Sequence, residues 1–157
     1  MKPIQYWLDE YGESHQNPIN KKIHWVCVPA IMFSLIGLIW SIPHNYMPFL
    51  FNDFQLNWAI IILIAILFYY FRLSKMMGFG MLIIGLLILV GNFFLSKVFL
   101  TPLWIISLLI FAIAWIGQFI GHKIEGRKPS FFQDLQFLLI GPAWLLSFIY
   151  NKIGLKY

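Results

Sequence analysis

TPLWIISLLIFAIAWIGQFIG, residues Thr101–Gly121, is the stretch that decides the fold. It contains no ionisable side chain, and a helix of about 20 apolar residues crosses the roughly 30 Å hydrocarbon core of a membrane. Similar runs precede it at about Ile23–Ile42, Leu56–Phe71 and Met76–Leu95. The whole chain is 61% hydrophobic and 11% charged, with a mean hydropathy of +0.78, whereas soluble domains are about 45–50% apolar. We therefore expect an all-α, polytopic membrane helical bundle.

A fifth apolar run, Leu135–Tyr150, follows the decisive stretch and carries Gly141 and Pro142 near its middle. Proline removes a backbone donor and bends or breaks a helix interior. This run could span the membrane, kink or re-enter it, so the sequence predicts four to five transmembrane helices. A chain of 157 residues is short enough to form a single membrane domain, residues 1–157.

The basic residues are distributed unevenly between the two sides of this bundle. Positive residues accumulate on the cytoplasmic side of membrane proteins. A cytoplasmic N-terminus gives that side eight of them: Lys2, Lys21, Lys22, Arg72, Lys75, Lys123, Arg127 and Lys128. The opposite side holds Lys97, together with Lys152 and Lys156 if the fifth run spans. We expect an integral membrane protein, in the inner or cytoplasmic membrane if the chain is bacterial, with its N-terminus and active site on the cytoplasmic face.

The net charge of +5 is explained by this topology, because the basic residues flank the apolar runs. No basic and aromatic surface remains outside the membrane to bind a strand, so we expect no nucleic-acid partner. Before the first run, Pro3–Tyr11 predicts a short N-terminal interfacial helix. Its apolar residues follow the helical spacing i, i+3, i+4, i+7: Ile4, Trp7, Leu8 and Tyr11.

Three of the four histidines fall on the side of the membrane that holds the N-terminus. His15 and His24 precede or begin the first run, and His122 ends the fourth. We therefore expect these imidazoles to share the cytoplasmic face. His44 lies in a turn on the other side and is interpreted as an ordinary loop histidine.

The segment around His24 has a clear helix start. Asn17 followed by Pro18 is a good N-cap and first helical residue, because proline lacks the N–H that the first turn cannot use. A helix beginning there places Asn20 and His24 one turn apart on the same face.

The end of the fourth run carries a polar face in an otherwise apolar helix. Gln118, His122 and Glu125 are spaced by four and three residues and therefore lie on one side of the helix. Gly117 and Gly121 form a GxxxG step beside them, which allows another helix to approach closely. A glutamine near a membrane boundary is costly without a partner.

These polar residues predict a metal site at the cytoplasmic face. Two imidazoles and a carboxylate on one face of an octahedron suit ferrous iron and oxygen chemistry. The expected catalytic and metal-binding residues are His15, His24, His122 and Glu125, with Glu125 either a fourth ligand or a carboxylate acting beside the ligands. Asn17 and Asn20 could orient the imidazole N–H groups.

The same residues also allow a simpler interpretation. The histidines could bond lipid headgroups and backbone, with Glu125 paired to Arg127 or Lys128. No HExxH motif and no cysteine cluster is present to identify zinc. Imidazoles by themselves would also suit zinc, copper or nickel.

Two segments resemble the signatures of the small polytopic 2-hydroxy fatty acid dioxygenases. The first is Tyr11-x-x-Ser14-His15-x-Asn17-Pro18-x-Asn20-x-x-x-His24, followed by Val28-Pro29. The second is Trp115-x-x-Gln118-Phe119-Ile120-Gly121-His122-x-x-Glu125-x-Arg127-x-Pro129, continued by Asp134-Leu135 and Pro142. The similarity extends over nearly the whole chain.

This resemblance implies an Fe2+-dependent oxidoreductase of fatty acid α-oxidation. A long-chain 2-hydroxy fatty acid and O2 would give a fatty acid one carbon shorter and CO2, with the motif histidines as iron ligands. The acyl tail would lie between helices while the carboxylate reaches the cytoplasmic face. Candidates for binding the substrate are Gln118, Arg127 and Lys128, of which arginine suits a planar carboxylate.

Two non-enzymatic alternatives remain open at this point. A lipid-binding or scaffold protein would use its histidines and basic loops on anionic headgroups of membrane lipids. A small transporter is less consistent with helix centres that lack buried charges. The sequence leaves undetermined the preferred chain length and whether the protein forms a homodimer.

Overall fold

The computed structural model describes residues 2–51, 54–126 and 137–157, and within these ranges the chain folds into six helices. They are α1 (Ile4–Glu13), α2 (Pro18–Trp40), α3 (Trp58–Leu73), α4 (Lys75–Val98), α5 (Leu103–Glu125) and α6 (Ile140–Lys152). The link between α2 and α3 contains a small antiparallel pair, β1 (Phe49–Phe51) and β2 (Phe54–Gln55), with Phe49 opposite Gln55. The prediction of an all-α bundle is confirmed.

Three helices are long and apolar enough to cross a membrane: α2, α4 and α5, with 23, 24 and 23 residues. At about 1.5 Å per residue each exceeds the roughly 30 Å that a span requires. Helix α3 is apolar but has only 16 residues, which gives about 24 Å. It forms a hairpin with α4, and the Ser74 side chain between them accepts a hydrogen bond from the Met77 N–H. All four predicted runs are therefore helices, and one of them is short.

Helix α6 covers most of the fifth apolar run, whose first two residues, 135 and 136, lie outside the described residues. Its 13 residues reach only about 20 Å, and Pro142 lies in its first turn rather than in its middle. Every residue from Ile140 to Ser147 is buried. The Tyr150 hydroxyl donates to the Met76 carbonyl at 2.7 Å, and the Tyr70 hydroxyl donates to the Leu139 carbonyl. The described part of this run is thus a short buried helix held against the start of α4.

Helix α1 forms where the apolar stripe predicts it, but the stripe faces protein. Ile4, Leu8 and Tyr11 are buried in one cluster with Ile140 and Trp144 of α6. The Tyr11 side chain is therefore covered by protein. An amphipathic pattern shows which face is covered and does not show whether lipid or another helix covers it.

The most extensive helix contact joins α2 to α5 through small residues. A Cβ atom on Gly117 would collide with the Cys27 thiol, and one on Gly121 would collide with the Asn20 side-chain oxygen. The two glycines therefore permit the close approach that the GxxxG step predicts. This approach brings the beginning of α2 beside the end of α5, where His24 and His122 lie.

Candidate metal centre

His15 is positioned by the turn between α1 and α2. Its ring is buried and stacks on Tyr11, with ring centroids 4.1 Å apart and planes inclined by 12°. Its Nδ1–H donates to the Tyr11 carbonyl at 2.7 Å. The imidazole is thereby fixed in orientation, with Nε2 pointing away from α1.

His24 is positioned by the second turn of α2. Asn17 caps this helix, because its side-chain oxygen accepts from the Ile19 N–H at 2.8 Å, and Pro18 is the first helical residue, as predicted. The His24 ring is buried, and its Nδ1–H donates to the Asn20 carbonyl at 3.0 Å. The backbone of α2 therefore fixes this second imidazole.

The Nε2 atoms of His15 and His24 face one another 2.9 Å apart. A carbonyl only accepts hydrogen bonds, so each Nδ1 must carry the proton of a neutral ring, and each Nε2 presents a lone pair. Burial lowers the pKa of His15 to about 4, so this ring is neutral near pH 7 and no proton is available to join the two nitrogens. Two lone pairs in contact repel each other unless a cation lies between them.

His122, in the last turn of α5, completes the group. Its ring centroid is 5.2 Å from that of His15 and 5.1 Å from that of His24. One ligand nitrogen of each ring lies within 4.8 Å of the others, and all three rings are buried. No other set of three or more His, Cys, Asp or Glu side chains converges in this way among the described residues.

This donor set fits a metal ion. Ligand nitrogens about 2.1 Å from an ion and at right angles to each other would lie about 3.0 Å apart, close to the observed 2.9 Å. Both rings also have the Nδ1–H bond to a backbone carbonyl that commonly orients metal-binding histidines. The three histidines could therefore bind a metal ion, and imidazole suits iron, zinc, copper and nickel alike.

Glu125 does not lie within the histidine group. Its carboxylate instead accepts from the Gln16 N–H at 2.7 Å, the Asn17 N–H at 3.0 Å and the Asn20 side-chain amide at 2.9 Å. An anion beside free N–H groups at a helix N-terminus is stabilised by those dipoles. Glu125 thus ties the end of α5 to the start of α2, which keeps His122 and His24 in position.

The two side chains predicted to orient the imidazoles make other hydrogen bonds at the start of α2. Asn17 caps α2, and the Asn20 amide binds Glu125. The carbonyls of Tyr11 and Asn20 orient His15 and His24. The sequence analysis did not identify these two carbonyls, because every residue has one. The available signal was the spacing, since each histidine follows its carbonyl partner by four residues.

A small cavity of about 40 Å³ adjoins the histidines, between α2, α5 and the start of α6. His24, His122 and Gln118 line it. Gln118 is 6% exposed, and its side-chain oxygen has no hydrogen-bond partner among the described residues. Trp115 lines the same cavity and its buried indole N–H also lacks one there. Two unpaired polar groups beside the histidines indicate a place for a polar ligand.

Two further predicted residues, Arg127 and Lys128, lie outside the described residues. His44 lies far along the chain, at the other end of α2, and its Nδ1–H donates to the Ile42 carbonyl at 2.8 Å. It does not belong to the histidine group, in agreement with its interpretation as a loop histidine.

Comparison with known proteins supports the family resemblance of the two signature segments. A family model described as 2-hydroxy-palmitic acid dioxygenase Mpo1-like matches residues 1–153. A Saccharomyces cerevisiae protein named 2-hydroxy-palmitic acid dioxygenase MPO1 is 29% identical over 149 residues, which cover 94% of this chain and 79% of the yeast protein. No solved structure matches the chain. The chain therefore belongs to the 2-hydroxy-palmitic acid dioxygenase Mpo1-like family.

Proposed function

We propose that this protein is an iron-dependent dioxygenase that shortens 2-hydroxy fatty acids by one carbon. The reaction is 2-hydroxy acid plus O2 giving the shorter fatty acid, CO2 and water, in which the C1–C2 bond breaks and C2 is oxidised. The observation that carries this proposal is the pair of buried imidazoles whose Nε2 lone pairs face each other at 2.9 Å. The name of the yeast relative supports the substrate class.

His15, His24 and His122 would hold the ion. Iron(II) bound there would supply Lewis acidity and the activation of O2. The chain's own contribution is to bury the three rings and, through the carbonyls of Tyr11 and Asn20, to fix the orientation of His15 and His24. Glu125 contributes by joining α2 to α5, so we assign it a positioning role beside the ligands.

Gln118 and Trp115 would bind the polar head of the substrate. The Gln118 oxygen and the Trp115 N–H have no hydrogen-bond partner within the part of the chain that the structure describes. The oxygen can accept a hydrogen bond from the 2-hydroxyl, and the N–H can donate to the carboxylate. A site built to pair a hydroxyl rejects an analogue that lacks it, because its buried polar groups are then left unpaired. The prediction that Arg127 and Lys128 contact the substrate carboxylate stays a prediction.

We place the site at the cytoplasmic face of the membrane. Three apolar helices of spanning length support insertion, and the excess of lysine and arginine supports a cytoplasmic N-terminus. The substrate would then reach the histidines from the bilayer, with O2 dissolved in the same hydrocarbon.

The test is oxygen uptake by purified protein loaded with Fe(II) without oxygen, after addition of 2-hydroxypalmitic acid. We expect uptake matched by a fatty acid one carbon shorter and by CO2, and no uptake with palmitic acid. His122→Ala should lose the reaction and His44→Ala should keep it. Bound iron without turnover of the 2-hydroxy acid would overturn the proposed substrate, and absence of both iron and turnover would favour a lipid-binding scaffold.

A further inference from the structure

An apolar groove lies next to the histidine cavity, between α2, α4, α5 and α6. It has a volume of about 500 Å³, and its lining is entirely hydrophobic. Val28 and Met32 of α2 line both the groove and the histidine cavity. Only the Val28 and Met32 side chains therefore separate the histidine cavity from the groove at this point, and methionine is a flexible side chain.

The histidine cavity is too small to hold a long hydrocarbon chain. Its volume of about 40 Å³ is less than a tenth of the 500 Å³ of the apolar groove. Whatever binds there with its polar end must therefore extend into another space.

The second opening beside the histidines is unsuited to hydrocarbon. This cavity of about 320 Å³ lies next to His15 and is lined by Asp9, Glu13 and Lys21 among others. Burying an alkyl chain against charged side chains would strip them of water at a large cost in free energy. The polar opening suits water and ions, and the apolar groove is the one path suited to a tail among the cavities described.

We propose that the groove holds the acyl chain of the substrate, with the polar head at the histidines and Val28 and Met32 at the junction. This proposal rests on the proposed function. The chain can enter sideways from the bilayer, because Leu87 and Ile149 on the groove walls are 66% and 45% exposed on the outside of the bundle. A phospholipid does not fit this description, because its headgroup exceeds the histidine cavity.

The groove has a definite length along α2. Its lining runs from Trp25, next to His24, to Phe33, a distance of about 12 Å at 1.5 Å per residue. Leu87 lies on the α4 wall of the groove. One turn later, Gly91 of α4 packs against the Phe33 ring, since a Cβ added at Gly91 would collide with that ring. The part of the groove near Leu87 is thus the end farthest from the histidines. It would limit the length of acyl chain that fits inside the protein.

The test compares two substitutions on adjacent residues of α4. Leu87→Trp fills the remote end of the groove, whereas Leu86→Trp adds the same indole at a side chain that is 53% exposed and does not line the groove. We expect Leu87→Trp to lower kcat/KM for 2-hydroxypalmitic acid by about tenfold or more, as for a group too large for its pocket. A 2-hydroxy acid of half that length should be nearly unaffected, and Leu86→Trp should change neither.

A second measurement does not depend on turnover. 2-Hydroxypalmitic acid with a photoreactive diazirine near the middle of its chain should label the segments around Phe33 and Leu87 in the wild-type protein, and Leu87→Trp should lose this labelling. Labelling spread over all lipid-facing helices, with equal chain-length profiles for the two tryptophan variants, would overturn the groove. Labelling confined to the groove without any dioxygenase activity would keep the groove and reject the proposed function.

Discussion

Gln118 shows at the scale of single residues how a buried polar group can cost stability. Its side-chain oxygen is buried without a partner in the described part of the chain, and such a group costs about 1–3 kcal/mol. The sequence identified Gln118 as a polar residue near a membrane boundary. It could not show that the partner is missing, because that depends on which side chains of α2 and α6 line the cavity.

Replacing Gln118 with leucine should separate stability from substrate binding. We expect the melting temperature of Gln118→Leu to be unchanged or higher, because an unsatisfied group is removed, while KM for the 2-hydroxy acid rises about tenfold or more. Gln55→Leu is the control, since the Gln55 amide donates to the carbonyls of His44 and Met47 and its loss should lower the melting temperature. A destabilised Gln118→Leu with unchanged KM would contradict the assignment.

Glu125 gives a second prediction at this scale. Glutamine has one acceptor oxygen in place of two, so Glu125→Gln cannot accept all the N–H groups at the start of α2. We expect iron affinity to fall about 10–100-fold, as for groups that orient metal ligands, without complete loss. Glu10→Gln changes an exposed carboxylate of α1 and should leave iron affinity unaltered, as measured by anaerobic titration. Complete loss of binding in Glu125→Gln would identify Glu125 as a ligand.

The histidine group itself was predictable only in part. Spacing and charge placed His15, His24 and His122 on one side of the bundle. The facing Nε2 atoms follow from two backbone carbonyls and from the stacking of His15 on Tyr11, and no residue pattern specifies those contacts. The structure also separates Glu125 from the imidazoles, an alternative that spacing on α5 left open.

At the scale of helices, packing decides what composition cannot. The GxxxG step on α5 correctly predicted a close helix neighbour, because small residues spaced by four let two helix backbones approach each other. The fifth apolar run was ambiguous, since a helix buried by protein on all sides and a helix buried in lipid have the same composition. Contacts of Trp144 and Tyr150 with α1 and α4 resolve α6 as a buried helix.

Gly121→Ala tests the contact between α2 and α5. The added methyl group would overlap the Asn20 side chain, so we expect a loss of about 1–3 kcal/mol in the free energy of unfolding and weaker iron binding. Gly85→Ala is the matched control, because its Cβ would meet its nearest neighbour, Leu63, at an ordinary 3.7 Å. It should be neutral or stabilising by about 0.5–1 kcal/mol. Equal stability of both variants in thermal unfolding would contradict the packing argument.

At the scale of the whole molecule, one end of the bundle collects the polar chemistry. The histidines, Glu125 and the polar opening lie at the ends of α2 and α5 that meet α1, and the groove extends from there along α2. The sequence predicted this asymmetry from the distribution of lysine and arginine. It could not predict the groove, because its walls come from α2, α4, α5 and α6 and only the folded chain brings these helices together.

Membrane orientation gives the prediction at this scale. In a Cys27→Ala background, we expect a cysteine at Glu10 to react with a membrane-impermeant maleimide only after the membrane is opened. A cysteine at Tyr46, which is 74% exposed in the link after α2, should react in intact cells. The reverse pattern would place the histidines on the outer face and contradict the positive-inside argument.

The most direct test of the account is the iron content of the purified protein after anaerobic loading with Fe(II) and removal of excess metal. We predict one iron per chain for the wild-type protein and for His44→Ala, and loss of bound iron in His24→Ala with the helical circular dichroism spectrum retained. Each histidine removed takes away one of three ligands, whereas His44 lies outside the group. A folded His24→Ala variant with full iron content would show that the metal binds elsewhere and would contradict the central claim.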